Sequence, residues 1–265
     1  MTTSDCPELI SVILPVYNGE KTIEESVSSV LGQTYKNIEL IIVDDASEDS
    51  TPEKLRVISG RDTRIRLISN KNNCGRLSSR CKAVDSAEGE WIAFIDADDL
   101  WYPEKIEKQI ALRDLTGCDL VYTASAFIDE NGNKYKWIMH VPHKVNYRRL
   151  LKQNVISNSS VMVRKKDFVK FTPGVKGKND MHEDFACWLS MLKAGLVACG
   201  IDEPLITYRI SKESGSGNKT RASALNINTY KCIGLGFFER CFYQACYAFN
   251  GLRKYMHLNK RNIVS

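Results

Sequence analysis

Residues 89–99 read Gly-Glu-Trp-Ile-Ala-Phe-Ile-Asp-Ala-Asp-Asp, an apolar run that ends in three closely spaced carboxylates. The run from Trp91 to Ile95 predicts a buried strand. Carboxylates this close repel one another, and burying an unpaired one is costly. A divalent cation bound by this cluster would offset that cost, because magnesium and manganese prefer oxygen ligands. A charged turn that ends a strand is the simpler alternative, and it would be favoured for an isolated Asp-x-Asp.

Strands alternate with helices over the first 115 residues. The runs 9–14, with Pro15 as its end, 38–43 and 64–68 predict strands. The runs 23–31, 75–87 and 103–115 predict helices, and residues 50–53 predict the start of another. Such alternation is typical of a parallel, doubly wound sheet, which binds ligands at the carboxyl ends of its strands. Three strand ends carry unusual polar groups, and we expect them to lie close together: 15–18, 44–45 and 96–99.

The pattern changes after residue 115. Residues 118–129 and 135–141 predict two strands joined by a turn, 159–163 and 204–210 predict further strands, and 183–194 predict a helix. A Ser-Gly joint follows at 214–217. We therefore predict three segments: two halves of one domain (1–115 and 116–210) and a basic, aromatic-rich helical tail (211–265).

Composition excludes several protein classes. No apolar run approaches the length of a membrane-spanning helix, and the N-terminus lacks the features of a secretory signal. The nine cysteines show no Cys-x-x-Cys spacing, which favours a reduced, cytosolic protein. Residues 211–265 contain nine Lys or Arg and two Glu, a net charge of +7; since the whole chain carries +5, the first 210 residues carry −2. A basic tail on a mildly acidic body indicates an anionic surface as partner.

Two loops could contact a nucleotide. Asp44 and Asp45 end a predicted strand, and they either form a capping turn or accept a hydrogen bond from the imide N–H of a uracil ring. The run Asn73-Cys74-Gly75, with Arg80 after it, is either a helix start with one solvated arginine or a loop that admits a phosphate or base.

Glu183 and Asp184 begin a predicted helix. Acids at a helix N-terminus are stabilised by the helix dipole, which would explain them without any chemistry. Alternatively, one of them is a general base that accepts a proton from an acceptor hydroxyl. Dinucleotide-binding and P-loop fingerprints are absent from the sequence, and its four histidines show no metal-ligand spacing.

Taken in order, these motifs resemble the family 2 inverting glycosyltransferases of the GT-A fold. The resemblance rests on residues 11–18, 29–35, 39–47, 73–75, 89–99 and 183–184. It implies an α/β protein with a GT-A type doubly wound, mostly parallel sheet and a C-terminal helical extension. By the same resemblance, residues 1–115 are the nucleotide-sugar-binding half of the domain and residues 116–210 the acceptor-binding half. It also implies an enzyme that moves one sugar from a UDP-sugar of the glucose, galactose or N-acetylglucosamine type.

The resemblance also implies roles for individual residues. Those around the nucleotide are Pro15, Val16, Tyr17, Glu20, Asp44, Asp45, Asn73, Gly75, Arg80, Asp96 and Ala97. Asp98 binds Mn²⁺ or Mg²⁺ directly, while Asp96 lies nearer the ribose and belongs to the same metal site. Asp184 is the catalytic base of a single displacement, with Glu183 beside it. Cys81 departs from the Asn that many relatives have after the arginine, which leaves the detail of the Arg80 contact open.

The overall style resembles bacterial enzymes of O-antigen or capsule assembly. The implied acceptor is a saccharide on undecaprenyl diphosphate, the implied location is the inner face of the cell membrane, and no nucleic-acid partner is expected. The Gln-x-x-Arg-Trp motif of processive synthases is absent, so we expect one sugar per reaction. Residues 157–180 are expected to shape the acceptor side. The tail is either a helical lid or an interfacial helix on an anionic leaflet.

Two other functions stay open at this point. A nucleotidyltransferase also uses a doubly wound sheet with acidic metal ligands, but residues 15–18 do not supply its usual glycine-rich, basic phosphate loop. A sugar- or nucleotide-binding module without chemistry is the non-enzymatic alternative.

Overall fold

Strands and helices alternate through the first half of the chain, as the sequence predicts. The computed structural model describes residues 7–174, 181–210 and 219–257. The elements of this half are β1 (Ile10–Val16), α1 (Ile23–Leu31), β2 (Ile38–Asp44), α2 (Thr51–Ser59), β3 (Ile65–Ser69), α3 (Arg76–Ser86), β4 (Trp91–Phe94), β5 (Leu100–Trp101) and α4 (Lys105–Thr116).

The second half adds shorter strands and the C-terminal helices. Its elements are β6 (Leu120–Asp129), β7 (Lys144–Val145), α5 (Tyr147–Lys152), a 3₁₀ turn (Asn158–Ser160), β8 (Met162–Arg164), α6 (Lys165–Phe171), α7 (Glu183–Lys193), β9 (Ala198–Ile210), α8 (Lys219–Cys232) and α9 (Phe237–His257). The predicted Ser-Gly joint lies outside the described residues. None of the described helices is long and apolar enough to cross a membrane.

Within the described residues the strands form one mixed sheet in the order β3-β2-β1-β4-β8-β6-β9-β5, with β7 paired to β9. The long ladders are parallel: β3 with β2, β2 with β1, β1 with β4, and β6 with β9. The antiparallel ladders, made by β8, β5 and β7, are two or three residues long. The sheet is therefore mostly parallel with C-terminal helices, which confirms the predicted fold class.

β1 and β2 are buried along their whole length, and most of their residues are apolar, because helices cover both faces of the sheet. On one face Ile13 and Phe94 pack in a core that includes Trp188 of α7. On the other face Val12 and Leu14 pack against residues of α1, α2 and α4. Alternating residues thus enter different cores, so a strand without polar alternation is what a doubly covered sheet requires.

Pro15 lies inside β1, whereas the sequence predicts that it ends the strand. The carbonyl of Ile13 accepts a hydrogen bond from the N–H of Ile95, and the carbonyl of Val16 accepts one from Asp45 on the opposite side. By this alternation the nitrogen of Pro15 faces β4, which has already ended at Phe94. No ladder bond is lost there, so the sheet tolerates proline.

The predicted strand at 135–141 is wrong. This segment touches β6 only through two antiparallel bridges, Ser125 with Met139 and Ile128 with Lys134. Between the two bridges the segment contains two more residues than β6 does, so the two cannot pair residue by residue in a regular ladder. Two strand starts also differ from prediction: β9 begins at Ala198, and a 3₁₀ turn precedes β8.

Candidate active site

The three polar strand ends lie side by side, as predicted. β1 is flanked by β2 and β4, and the register pairs Val16 with Asp44. The hydrogen bond from the Ile95 N–H to the Ile13 carbonyl continues this pairing, so Asp96 follows directly after it. Residues 15–18, 44–45 and 96–99 therefore share one edge of the sheet.

Asp45 holds the loop that contains Asn73 and Gly75. Its Oδ1 accepts hydrogen bonds from the Asn70 side chain at 2.8 Å and the Cys74 N–H at 2.9 Å, and its Oδ2 accepts one from the Gly75 N–H at 2.8 Å. Gly75 has a φ of 87°, a conformation that favours glycine. Asn73 lies exposed in this loop. Asp45 is thus already occupied by protein donors.

Asp44 is buried beside Asp45 and makes a tighter turn. Its Oδ1 accepts a hydrogen bond from the Ser47 N–H at 3.1 Å. This bond closes a local turn, but α2 begins at Thr51, so the turn is not the helix cap that the sequence offered as one explanation of the pair. The contact between one of these acids and a uracil ring stays a prediction.

The loop after β1 is bonded to the loop before α2. The Glu20 carboxylate accepts a hydrogen bond from the Ser50 N–H, and the Glu20 N–H donates to Asp49. The Asn18 side chain accepts one from the Glu48 N–H. Tyr17, at the start of this loop, is exposed. Glu20 thus joins the loop after β1 to the loop before α2, and its contact with the nucleotide stays a prediction.

The acidic loop after β4 is fixed by residues far along the chain. Ser159 accepts a hydrogen bond from the Asp96 N–H at 3.0 Å and donates one to the Asp99 carboxylate. The Arg209 N–H donates to the other oxygen of Asp99, and the Arg209 Nε donates to the Asp98 carbonyl, both at 3.0 Å. Asp99 is buried, so it supports the loop, while Asp96, Ala97 and Asp98 remain partly exposed.

Crowding leaves the acidic loop with unbalanced negative charge. Burial, together with the nearby Asp96 carboxylate, raises the pKa of Asp98 to about 6. Burial and the neighbouring carboxylates of Asp98 and Asp96 raise the pKa of Asp99 well above its ordinary value. A bound cation would relieve this repulsion. The described residues bring no group of three or more His, Cys, Asp or Glu together as a metal site. Two carboxylates still fit Mg²⁺ or Mn²⁺, which complete their shells with water and substrate phosphates.

Arg80 connects the acidic loop to the start of α7. It is only 2% exposed, and its guanidinium lies 3.5 Å from Asp96 Oδ1 on one side and 3.5 Å from Glu183 Oε1 on the other. Its Nε has no partner among the described residues. Arg80 therefore brings the two acidic motifs of the sequence, 87 positions apart, into one site.

Glu183 and Asp184 differ in their surroundings. Glu183 faces two guanidinium groups, Arg80 and Arg76, the second at 3.6 Å. In the described part of the chain, the Asp184 side chain accepts one hydrogen bond, from the Phe185 N–H at 2.8 Å. Burial and the negative charge of Glu183 raise the pKa of Asp184, against the lowering effects of Arg80 and His182. A carboxylate with a raised pKa holds a proton more readily, which suits a general base.

Four residues of this site are not predicted by the sequence patterns. Arg76 follows Gly75 directly, and that position at the first turn of α3 is the one available signal. Asn158 donates to Asp96 at 3.0 Å, although its segment was expected to shape the acceptor side. Ser159 and Arg209 act on the acidic loop from 63 and 110 positions away, and no local pattern marks them.

Comparison with known proteins identifies relatives over most of the chain. The model of "Glycosyl transferase family 2" matches residues 11–171. The putative teichuronic acid biosynthesis glycosyltransferase TuaG of Bacillus subtilis is 34% identical over 250 residues, which cover 93% of this chain and 97% of that protein. The UDP-Glc:alpha-D-GlcNAc-diphosphoundecaprenol beta-1,3-glucosyltransferase WfaP of Escherichia coli is 34% identical over 96% of this chain and 99% of that protein.

A solved structure shares the fold at lower identity. The mannosyltransferase PcManGT from Pyrobaculum calidifontis, in complex with GDP-Man and Mn²⁺, superposes with a TM-score of 0.69 over 92% of this chain and 70% of that chain. The two sequences are 17% identical. This likeness shows the GT-A fold, and it shows that a protein of this fold binds Mn²⁺.

Proposed function

The chain belongs to glycosyl transferase family 2, and we propose that it transfers one sugar from a UDP-sugar to a saccharide carried on a polyprenyl diphosphate, with inversion at the anomeric carbon. The observation that carries this proposal is the Arg80 bridge between Asp96 and Glu183. It places the acids expected to face the leaving group next to those expected to face the acceptor. Membership of the family argues against the nucleotidyltransferase alternative.

Asp184 is the proposed general base. An acceptor hydroxyl gives its proton to the Asp184 carboxylate while its oxygen attacks the anomeric carbon, and the bond from that carbon to the nucleotide diphosphate breaks. The raised pKa of Asp184 favours this proton transfer. Glu183, neutralised by Arg76 and Arg80, holds those cations near the reacting centre. A base on one face and a leaving group on the other is the arrangement that inversion needs.

Asp98, with Asp96, would hold Mn²⁺ or Mg²⁺ on the leaving-group side. When bound, such a cation neutralises charge that develops on the departing diphosphate. Arg76 is a further cation on this side, since its positive charge counteracts the rise in the pKa of Asp98 and the charge of Asp96 raises the pKa of Arg76. Asn158 and Ser159 orient the same loop.

The base of the nucleotide is proposed to bind between residues 15–20 and the loop at 73–75. Because Asp45 already accepts three hydrogen bonds from the second loop, Asp44 is the better partner for the uracil N–H. Asp45 then acts by holding Asn73 and Gly75 in place.

The acceptor is proposed from the relatives. The name of the E. coli relative states transfer of glucose from UDP-Glc to GlcNAc-diphosphoundecaprenol, and the similarity extends over nearly the whole of both chains. A related lipid-linked acceptor in O-antigen or capsule synthesis, at the inner face of the cell membrane, is therefore the proposal for this chain.

The test is an assay of UDP release. The protein is incubated with Mn²⁺, a panel of UDP- and GDP-sugars and a synthetic GlcNAc-diphosphate-lipid. We expect nucleotide release that requires both one UDP-sugar and the acceptor. Release that does not need the acceptor, or a lack of release with every donor, would contradict the proposal. The control is Asp184→Asn, which should lose UDP release but keep metal-dependent nucleotide binding. A pure binding module would show no release with or without this change.

A further inference from the structure

One face of α9 is apolar and open to solvent. Phe238, Phe242 and Phe249 are 85%, 57% and 63% exposed. At 3.6 residues per turn these positions fall on the same side of the helix, and Cys241, Ala245 and Ala248, also exposed, lie among or beside them. We refer to these six residues as the outer face of α9. Exposed aromatic side chains gathered in one stripe mark an interaction surface more often than isolated ones do.

The inner face of α9 packs against the body of the protein, as the lid alternative expects. Tyr243 and Tyr247 pack against the main core. The Tyr247 ring lies 5.9 Å from that of Phe185, and the Gln244 side chain is hydrogen-bonded to Asn226 and Ser223 of α8. These contacts fix which side of α9 faces outwards.

Exposed cations lie on the helix that packs beside α9. α5 packs beside α9, and the Asn250 side chain donates a hydrogen bond to the Lys152 carbonyl at the end of α5. α5 has the sequence Tyr-Arg-Arg-Leu-Leu-Lys, with no acid, and its Arg148, Arg149 and Lys152 are exposed. An exposed apolar stripe on one helix and exposed cations on the helix packed beside it are together complementary to a bilayer surface with anionic headgroups.

We propose that the outer face of α9, with the exposed cations of α5, is the surface by which this protein docks on an anionic bilayer. The inference rests in part on the proposed function, because a polyprenyl-linked acceptor presents its diphosphate at headgroup depth. Phe185, which Tyr247 contacts, follows Asp184 directly. A helix with its side chains is about 10 Å across. Docking by the outer face therefore leaves α9 and the layer of side chains around Phe185 between the proposed base and the headgroups, roughly two helix diameters.

The experiment measures sedimentation of the full chain with vesicles, without donor or acceptor. Vesicles of mixed phosphatidylglycerol and phosphatidylcholine are compared with vesicles of phosphatidylcholine alone. We expect binding to the mixed vesicles that falls at high salt and is weaker on the neutral ones. The double variant Phe238→Ser/Phe242→Ser should lose at least about tenfold in partition for each phenylalanine.

Matched controls distinguish binding through the proposed surface from nonspecific binding to vesicles. Val57→Ser/Leu115→Ser removes two equally exposed apolar side chains from α2 and α4, and it should leave vesicle binding unchanged. Arg148→Gln/Lys152→Gln should weaken binding to the mixed vesicles by about fivefold per cation. Arg56→Gln/Arg61→Gln, which removes two exposed cations elsewhere, should have no such effect.

Three results would overturn the docking proposal: no binding by the unaltered protein, equal losses in the variants and their controls, or a dimer that Phe238→Ser/Phe242→Ser converts to monomer while vesicle binding persists. The last result would assign the outer face to a second copy of the chain. Transfer to an acceptor with a short, water-soluble lipid should be unaffected in all four variants. Failure of that transfer in the unaltered protein would count against the proposed function alone, since vesicle binding is read separately.

Discussion

The two acidic motifs of the site, residues 96–99 and Glu183-Asp184, are held by different kinds of partner. The first is held mainly by hydrogen bonds from Asn158, Ser159 and Arg209, and one guanidinium, that of Arg80, lies 3.5 Å from Asp96. The second has its positive charges built in, since Arg76 and Arg80 face Glu183.

The difference teaches how one site can keep two sets of carboxylates for two tasks. Where burial and repulsion between carboxylates outweigh the nearby arginines, as at Asp98, the protein is prepared for a cation from outside. Where one acid is neutralised by arginines, burial and the charge of that acid give its neighbour Asp184 a raised pKa. Arg80 touches both motifs, so the two tasks share one buried cation.

The largest effect is expected at Asp184. Asp184→Asn keeps the shape of the side chain but removes the base, so kcat should fall about 10³-fold. UDP binding in the presence of Mn²⁺ should stay within error of the unaltered protein, by calorimetry. Glu183→Gln, the control, should retain much more turnover. Equal losses in the two variants would break the distinction between these neighbours.

Asp98→Asn should also reduce kcat, but unlike Asp184→Asn it should change the metal dependence of UDP binding. Removing this carboxylate weakens both cation binding and stabilisation of the leaving group, and kcat should fall about 10²–10³-fold. The apparent affinity for UDP should then lose its dependence on Mn²⁺, as measured by titration with and without the metal. Unchanged metal dependence would place the cation elsewhere.

Ser159→Ala tests the neutral support of the acidic loop. The variant loses the hydroxyl that binds both the Asp96 N–H and the Asp99 carboxylate. We expect about tenfold weaker activation by Mn²⁺, because residues that orient metal ligands contribute at this level. Ser157→Ala is the matched control, two positions away. If both variants respond alike, the loop does not depend on Ser159.

The smallest effect is a shift in the pH profile. Activity requires deprotonated Asp184, so the acidic limb of kcat follows its pKa. Glu183 raises that pKa, while Arg80 and His182 lower it. Glu183→Gln removes the negative neighbour and leaves Arg76 and Arg80 in place, so the limb should move to lower pH by about one unit or less. A shift to higher pH would contradict the assigned roles.

Sequence patterns predict the part of this site that local chemistry encodes. Apolar runs that end in acids predict the strand ends, because parallel strands place their carboxyl ends at one edge. The Glu-Asp pair at a helix start is visible for the same local reason. These local features are sufficient to predict that Asp44, Asp96 and Asp98 lie at the same edge of the sheet.

The supporting residues are not encoded locally. Ser159 and Arg209 become partners of Asp99 only when β8 and β9 join the sheet, and a lone serine or arginine carries no mark of that contact. Asp45 is similar, since its acid is visible but its three donors lie 25 to 30 positions away. The strand predicted at 135–141 is wrong because pairing with β6 requires a matching register, and the sequence of the segment alone does not contain that register.

The stereochemistry of the product tests the central claim most directly. A UDP-sugar with an α-linked anomeric carbon is incubated with the protein and the GlcNAc-diphosphate-lipid, and the new linkage is read by proton NMR. If Asp184 activates the acceptor on the face opposite the leaving group, the product carries a β linkage. An α-linked product would contradict a single displacement with Asp184 as base.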